Sequence, residues 1–162
     1  MADRFSAKIE IGGTITKHQA QGLITVIRHS GASHEWGDAP FKPETIKDIV
    51  ELVREDGILE LVDHEARYGE FPDLEDYLVA SQIPFDRHSD AQYEYDGELV
   101  SYRPETGRIT HTATEDGNRM VDYVTVRNAL TLLESGKIEK AGKLLNDLLG
   151  PVIPEIPPLQ IK

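Results

Sequence analysis

The chain has no cysteine among its 162 residues. That removes disulfides, thiolate metal ligands and a cysteine nucleophile together, and makes a reducing, cytosolic compartment the expectation. Aromatic residues are scarce, at 7%, with a single Trp. No apolar run approaches the ~20 residues that cross a bilayer. The N-terminal MADRFSAKIEIGG has neither the basic-then-apolar build nor the cleavage site of a leader. Cations are few: 17 Lys and Arg stand against 29 Asp and Glu, a net charge of −12. Such a surface repels phosphate backbones and anionic lipid, so neither nucleic acid nor a membrane is expected as a direct partner. No P-loop, no GxGxxG and no GxSxG nucleophile elbow is present.

What is present is uneven. Residues 44–98 hold seventeen acids and four bases, a net of −13, and the remaining residues are nearly balanced at +1. A chain of this length buries about 70% of the surface it exposes when unfolded, enough for one domain without metal or disulfide.

The periodicities predict ten elements in the order β-α-α-β-α-β-β-β-α-α. Phe5, Ala7, Ile9 and Ile11 alternate as a half-buried strand. Thr16 and Gln19 then form a capping box before a helix through residue 29, within which Gly22 allows close packing on a sheet. A second helix is predicted from Pro43 to Asp56, with Ile46, Ile49, Val50 and Val53 inward. Strands at Ile58–Val62 and Ile83–His88 flank a third helix capped by Asp73. The expectation is a right-handed β-α-β crossover with those two strands as parallel neighbours. Asp96-Gly97 between the alternating runs 92–95 and 98–102 predicts a hairpin, and Arg108–Thr114 a further strand.

Helices at 121–134 and 138–149, joined by Ser135-Gly136, predict a helical hairpin. The tail GPVIPEIPPLQIK reads as extended. The fold class is therefore α+β: a mixed sheet of about five strands with helices on one face, for which a ferredoxin-like core is one arrangement, plus the C-terminal hairpin. The boundaries are 1–120 for the sheet domain, 121–150 for the hairpin packed on it, and 151–162 for the Pro-rich tail.

Five features bear on chemistry. Asp63-His64-Glu65 and Asp86-Arg87-His88 each end a predicted strand. On parallel neighbours, Asp63, His64, Asp86 and His88 would share one sheet edge and supply a divalent metal with imidazole and carboxylate ligands. A small metal-dependent enzyme using His64 and His88 is thus the alternative reading. Gly12-Gly13-Thr14, between a strand and a helix, offers backbone N–H groups to a phosphate, although a tight turn explains the glycines as well. His29 and His34 flank Ser30 and Ser33 without a third triad member. Tyr93, Tyr95 and Tyr102 form an aromatic set in an acidic setting, suited to a protein interface or to sheet packing. Trp36, in a Gly/Pro loop, reads as a lid over the core or a binding anchor.

The reading that the charge pattern favours is non-catalytic and cofactor-free: an acidic region that engages a basic protein. Its expected contacts are Asp48, Glu51, Glu55, Asp56, Asp63, Glu65, Asp73, Glu75, Asp76, Asp86, Asp90, Tyr93, Glu94, Tyr95, Asp96 and Glu98. In size, charge and lack of catalytic motifs, though in no alignable stretch, the chain resembles the small acidic inhibitors of phages and mobile elements. Anti-restriction and anti-CRISPR proteins of that kind occupy the basic groove of a host defence complex by mimicking nucleic acid. Leu130, Leu133, Leu144 and Leu148 of the helical hairpin either dock on the parent sheet or serve as the contacts of a homodimer.

Overall fold

In the computed structural model, which describes residues 3–91 and 96–162, the sheet is built from β1 (Arg4–Ile11), β3 (Leu59–Arg67), β4 (Phe85–Ser89), β5 (Gly97–Arg103) and β6 (Gly107–Ala113). The spatial order is β3-β1-β4-β5-β6, and every adjacent pair is antiparallel. A separate short pair joins β2 (Thr14–Ile15) in parallel to β7 (Gln160–Ile161). The helices are α1 (Lys17–Ser30), α2 (Ile46–Leu52), α3 (Pro72–Ala80), α4 (Tyr123–Glu134) and α5 (Ile138–Leu149). The class is α+β with five strands in the main sheet and a C-terminal helical hairpin.

The strand directions correct one expectation. β3 and β4 do run the same way, linked through α3, but β1 lies between them and pairs with both. The crossover is a split β-α-β unit, and a ferredoxin-like core would carry two of these. The sequence pattern does not distinguish the cases, because β1 is apolar enough to take the central place: Ile9 and Ile11 are fully buried.

Local chemistry explains the helices. α1 starts on the predicted capping box, with Thr16 accepting from Gln19 N and Gln19 Oε1 accepting from Thr16 N. Its buried residues Ala20, Leu23, Ile24 and Ile27 keep the i, i+3, i+4, i+7 spacing. Gly22 faces α3, not the sheet: a Cβ there would collide with the Tyr77 hydroxyl, which donates to Gln19 O at 2.7 Å. α2 is shorter than predicted. It ends at Leu52, Ile49 is its buried residue, and Val50 is exposed. α3 lacks the predicted Asp73 cap. Its N-cap is Phe71, whose N–H donates to Glu75 Oε1 at 3.0 Å. β5 pairs with β4 on one side and β6 on the other, so Gly97 already belongs to a strand and Asp96-Gly97 is no two-residue turn. The other arm of the predicted hairpin, residues 92–95, lies outside the described residues.

The core lies between the sheet and α1, α2 and α3. Ile9, Ile11, Leu59, Leu61, Phe85 and Val100 meet Leu23, Ile27, Ile49, Leu74 and Leu78. The outer edge of β3 is covered by the loop after α1, where Ser33 and Val62 exchange both backbone hydrogen bonds. The Pro-rich tail straps the far end of the sheet. Pro154 O accepts from Arg103 Nε, Pro157 O accepts from Gly13 N at 2.7 Å, and Leu159 N donates to Gly57 O at 2.7 Å.

Gly12 is required by that strap, since a Cβ would strike the Pro157 carbonyl and the Ile156 side chain. Gly12→Ala should therefore cost about 1–3 kcal/mol in the whole chain. In a chain ending after Pro154 the same substitution should cost markedly less. Urea denaturation of the four proteins measures the difference, and equal costs in both backgrounds would disprove the strap as the cause.

Candidate functional site

Antiparallel pairing brings five strand termini to one end of the sheet: the start of β1, the ends of β3 and β4, the start of β5 and the end of β6. The loops and helix N-terminus at that end carry Asp3, Glu65, Glu70, Asp73, Asp90, Asp96, Glu98, Glu115 and Asp116, all exposed or half-buried. Among the described residues of this end, three exposed guanidiniums, of Arg4, Arg67 and Arg119, stand against these nine carboxylates. Hydrogen bonds knit the end together: Tyr68 N donates to Asp3 O, Asp90 N to Ser6 O, and Arg4 Nη1 to Glu65 O.

A cleft of about 200 Å³ opens here, lined by Phe5, Tyr68, Glu70, Ser89, Asp90, Asp96 and Glu98. Its floor rests on Arg87, which is fully buried. Arg87 Nη1 donates to Gly69 O at 2.7 Å and to Ser89 Oγ at 3.3 Å, while Nη2 donates to Glu98 Oε2 at 3.0 Å. Nε lies 2.9 Å from Glu75 Oε1, and Glu75 Oε2 accepts from Arg108 Nη2 at 2.7 Å. Arg87 is therefore shared between buried Glu75 and half-buried Glu98, and the rim carboxylates other than Glu98 are left outside this network. Glu70, Asp90 and Asp96, beside a Tyr68 ring that already takes the Arg67 guanidinium at 5.6 Å, give the concave lining a chemistry suited to a cation.

The expected contact residues divide sharply. Glu75 is 1% exposed and is spent inside the fold on Arg87, Arg108 and the Phe71 N–H, which removes it from the binding set. Asp48 caps its own helix, accepting from Glu44 N and Thr45 N at 2.8 Å each. Glu51 pairs with Lys47 at 3.4 Å. Asp56 is held by Arg54 and by Ile58 N, and Arg54 also binds Glu10 and Glu60. Asp86 takes a two-point contact from Arg103, both arms at 3.0 Å. Asp63 accepts from Glu65 N at 2.9 Å. Glu55, Glu65, Asp73, Asp76 and Asp96 are exposed, and Asp90 is half-buried. Of these, Glu65, Asp73, Asp90 and Asp96 belong to the acidic end, which Glu98 joins. Tyr93, Glu94 and Tyr95 lie outside the described residues. Tyr102 is core, stacked on Phe85 with its hydroxyl donating to Val79 O.

The metal alternative does not assemble. Asp63 and His64 lie on β3, Asp86 and His88 on β4, with the whole of β1 between. His64 instead meets the Trp36 ring at 4.6 Å between centroids. His88 Nε2 is 3.2 Å from the Thr114 carbonyl, which places its proton on that nitrogen, and Asp86 is taken by Arg103. Among the described residues no group of three or more His, Asp or Glu could hold a metal ion. The Gly12-Gly13 phosphate cradle is filled by the chain's own tail. Ser30 Oγ donates to Ile27 O and Ser33 Oγ to Asp38 O, so neither is set against His29 or His34 as a nucleophile. Asp3, Glu70, Glu115, Asp116, Phe5 and Tyr68 were missed by the sequence reasoning. The full β3-β1-β4-β5-β6 order, which brings their termini together, reveals them.

No family model, curated protein or solved structure matches this chain.

The engaged carboxylates set a pH response. Hydrogen bonds from the Glu44 and Thr45 backbone hold Asp48 below the ordinary value of 3.8, the Arg54 guanidinium does so for Asp56, and the Thr125 hydroxyl for Asp122. A carboxylate lower in the folded state contributes stability that is fully present above the unfolded value and lost as pH falls through the folded one. Stability should therefore decline below pH ~4. Raising salt should erode the Arg54–Asp56 share and spare the capping share, as thermal denaturation at pH 3, 4 and 6 would show. Arg87→Met should cost about 3 kcal/mol, because it leaves buried Glu75 with Arg108 as its one remaining cation and takes the partner from half-buried Glu98. Arg54→Met, at the surface, should cost under about 1 kcal/mol. Similar costs for the two in urea would contradict the assigned burial of the Arg87 network.

Proposed function

We propose that this protein is a non-catalytic binding module whose carboxylate-rich sheet end engages a basic surface on another protein. The observation that carries the reading is the concentration of nine carboxylates at one end of the sheet, around a cleft of cation-binding character. Potential of one sign over a concave, low-dielectric surface steers an oppositely charged partner and raises its on-rate. The acids of α2 are engaged in caps and pairs, so the expected surface moves from α2 to the strand termini. Within this reading we favour occupancy of a nucleic-acid-binding groove, the mode of the inhibitors that the chain resembles in size and charge. The second partner we infer is another copy of this chain, joined through the C-terminal hairpin. No helix among the described residues is long and apolar enough to cross a membrane.

The test uses an arginine-rich peptide and a ladder of ionic strengths. Affinity should fall steeply between 50 and 300 mM salt, since an exposed charge contact is screened within about 8 Å at physiological strength. Glu70→Gln/Asp90→Asn/Asp96→Asn should weaken binding by about tenfold, mainly by slowing association. Asp48→Asn/Glu51→Gln, on α2, should leave it within about twofold. Equal losses from the two sets would mean that net charge alone is being read, and the reading of a localised site would fail.

A further inference from the structure

α4 and α5 pack on each other, and the two residues buried between them are alanines, Ala129 and Ala141. Around that contact the hairpin is apolar and open. Of the thirteen large hydrophobic side chains exposed among the described residues, ten lie between Met120 and Val152. Two helices of this length joined by so slight a contact are marginal alone, so a further apolar surface is needed to order them.

The positions of the exposed residues show what that surface is. On α4, Tyr123, Val126, Leu130 and Leu133 follow a 3-4-3 spacing and are 75%, 38%, 41% and 42% exposed. On α5, Ile138, Gly142, Leu145 and Leu149 follow 4-3-4, with Ile138 at 69% and Leu149 at 56%. Each is a coiled-coil seam, and each lies one position C-terminal of its helix's buried alanine row. In a right-handed helix one residue is a turn of about 100° in the same sense. Because α4 and α5 run antiparallel, the two turns carry both seams to the same face of the hairpin. With axes 8–10 Å apart and lengths of about 18 Å, that face spans roughly 350 Å², the size of the largest apolar patch on an ordinary monomer, which is often a functional one. It is one half of a four-helix bundle.

We propose that a second copy of this chain supplies the other half, the two hairpins joining face to face about a two-fold axis. This rests on the self-association inferred above and does not involve the acidic end. Charge identifies the occupant. Residues 121–150 carry Arg127, Lys137, Lys140 and Lys143 against Asp122, Glu134, Glu139 and Asp147, a net of 0, so the whole −12 lies in the rest of the chain. The hairpin is thus a place where two copies can meet without like-charge repulsion. Each helix bears charges of both signs, so no single-sign row opposes its own copy.

Sedimentation velocity of the full chain between 1 and 100 µM tests the proposal. The expected species is a dimer, twice the 18.1 kDa chain. Leu130→Glu/Leu133→Glu should give monomer, whereas Val124→Glu, exposed but off the seam, should remain dimeric. Gly142→Leu probes the opposite direction, since a side chain there meets nothing within 4 Å and would extend the seam. It should tighten the dimer by about tenfold, a readout that does not depend on the charged variants keeping their fold. A dimer indifferent to Leu130→Glu/Leu133→Glu and to Gly142→Leu would overturn this seam while leaving self-association standing. A monomer throughout the range would overturn both. A monomer that co-sediments with zwitterionic vesicles would assign the face to lipid and overturn the proposal. The arginine-peptide assay reports on the acidic end in every case.

Discussion

One buried guanidinium holds the sheet, helix and turn in register. Arg87 projects from β4 into the layer beneath the helices, where no water can solvate it. Its donors go to the turn at Gly69, to Ser89, to Glu98 on β5 and to Glu75 on α3. Glu75 in turn binds Arg108 on β6 and the Phe71 N–H at the start of α3. Such a network gains little net stability over an apolar core, because desolvating the ions costs nearly what their attraction returns. Its effect here is positional. α3 has no side-chain cap from its N-cap residue, and the buried Glu75 carboxylate takes that role from inside the fold. The Gly69 turn, with Tyr68 at φ 57°, is fixed by the same cation. The acidic rim therefore stands on a neutralised, rigid floor, as a preorganised binding surface requires.

A second buried arginine does comparable work at the far end. Arg103 ties Asp86, the Phe85 carbonyl and the Pro154 carbonyl, so the tail is fastened to the sheet by a charged side chain before β7 pairs with β2. Both arginines take acids from the stretch 44–98 out of the solvent-facing population. That stretch therefore overstates the charge a partner would meet, and its excess cannot be read as a surface.

This separates what the sequence disclosed from what it withheld. Local signals were legible: the Thr16–Gln19 box, the alternation in β1 and β6, both C-terminal helices to within two residues, and the extended tail. Each depends on neighbours a few positions away. What failed depended on distant partners. β1 could not be placed between β3 and β4 from its own residues, and the parallel-neighbour assumption that followed produced the His64–His88 metal site. Glu75 could not be told from Asp76 by composition. One faces Arg87 and the other faces water because of where α3 sits on the sheet. The binding surface was legible as a charge excess and not as a location, since strand order decides which loops share an end.

The hairpin shows the opposite case, in which packing that did not happen is the informative result. Leu130 and Leu133 have the spacing of core residues, and a domain that could bury them on its own sheet would do so. They stay exposed because α4 and α5 pack chiefly on each other and not on the sheet, and because the extension at Met120 is spent on pairing with Thr112. The tail then leaves for the opposite end of the sheet, drawing residues after Leu149 away from the helices. The apolar seams and the acidic rim thereby draw on different residues. Charge that would hinder association is absent from the one surface whose burial the hairpin needs. A partner for the rim and a partner for the seam can then be chosen by different forces, one screened by salt and the other proportional to apolar area.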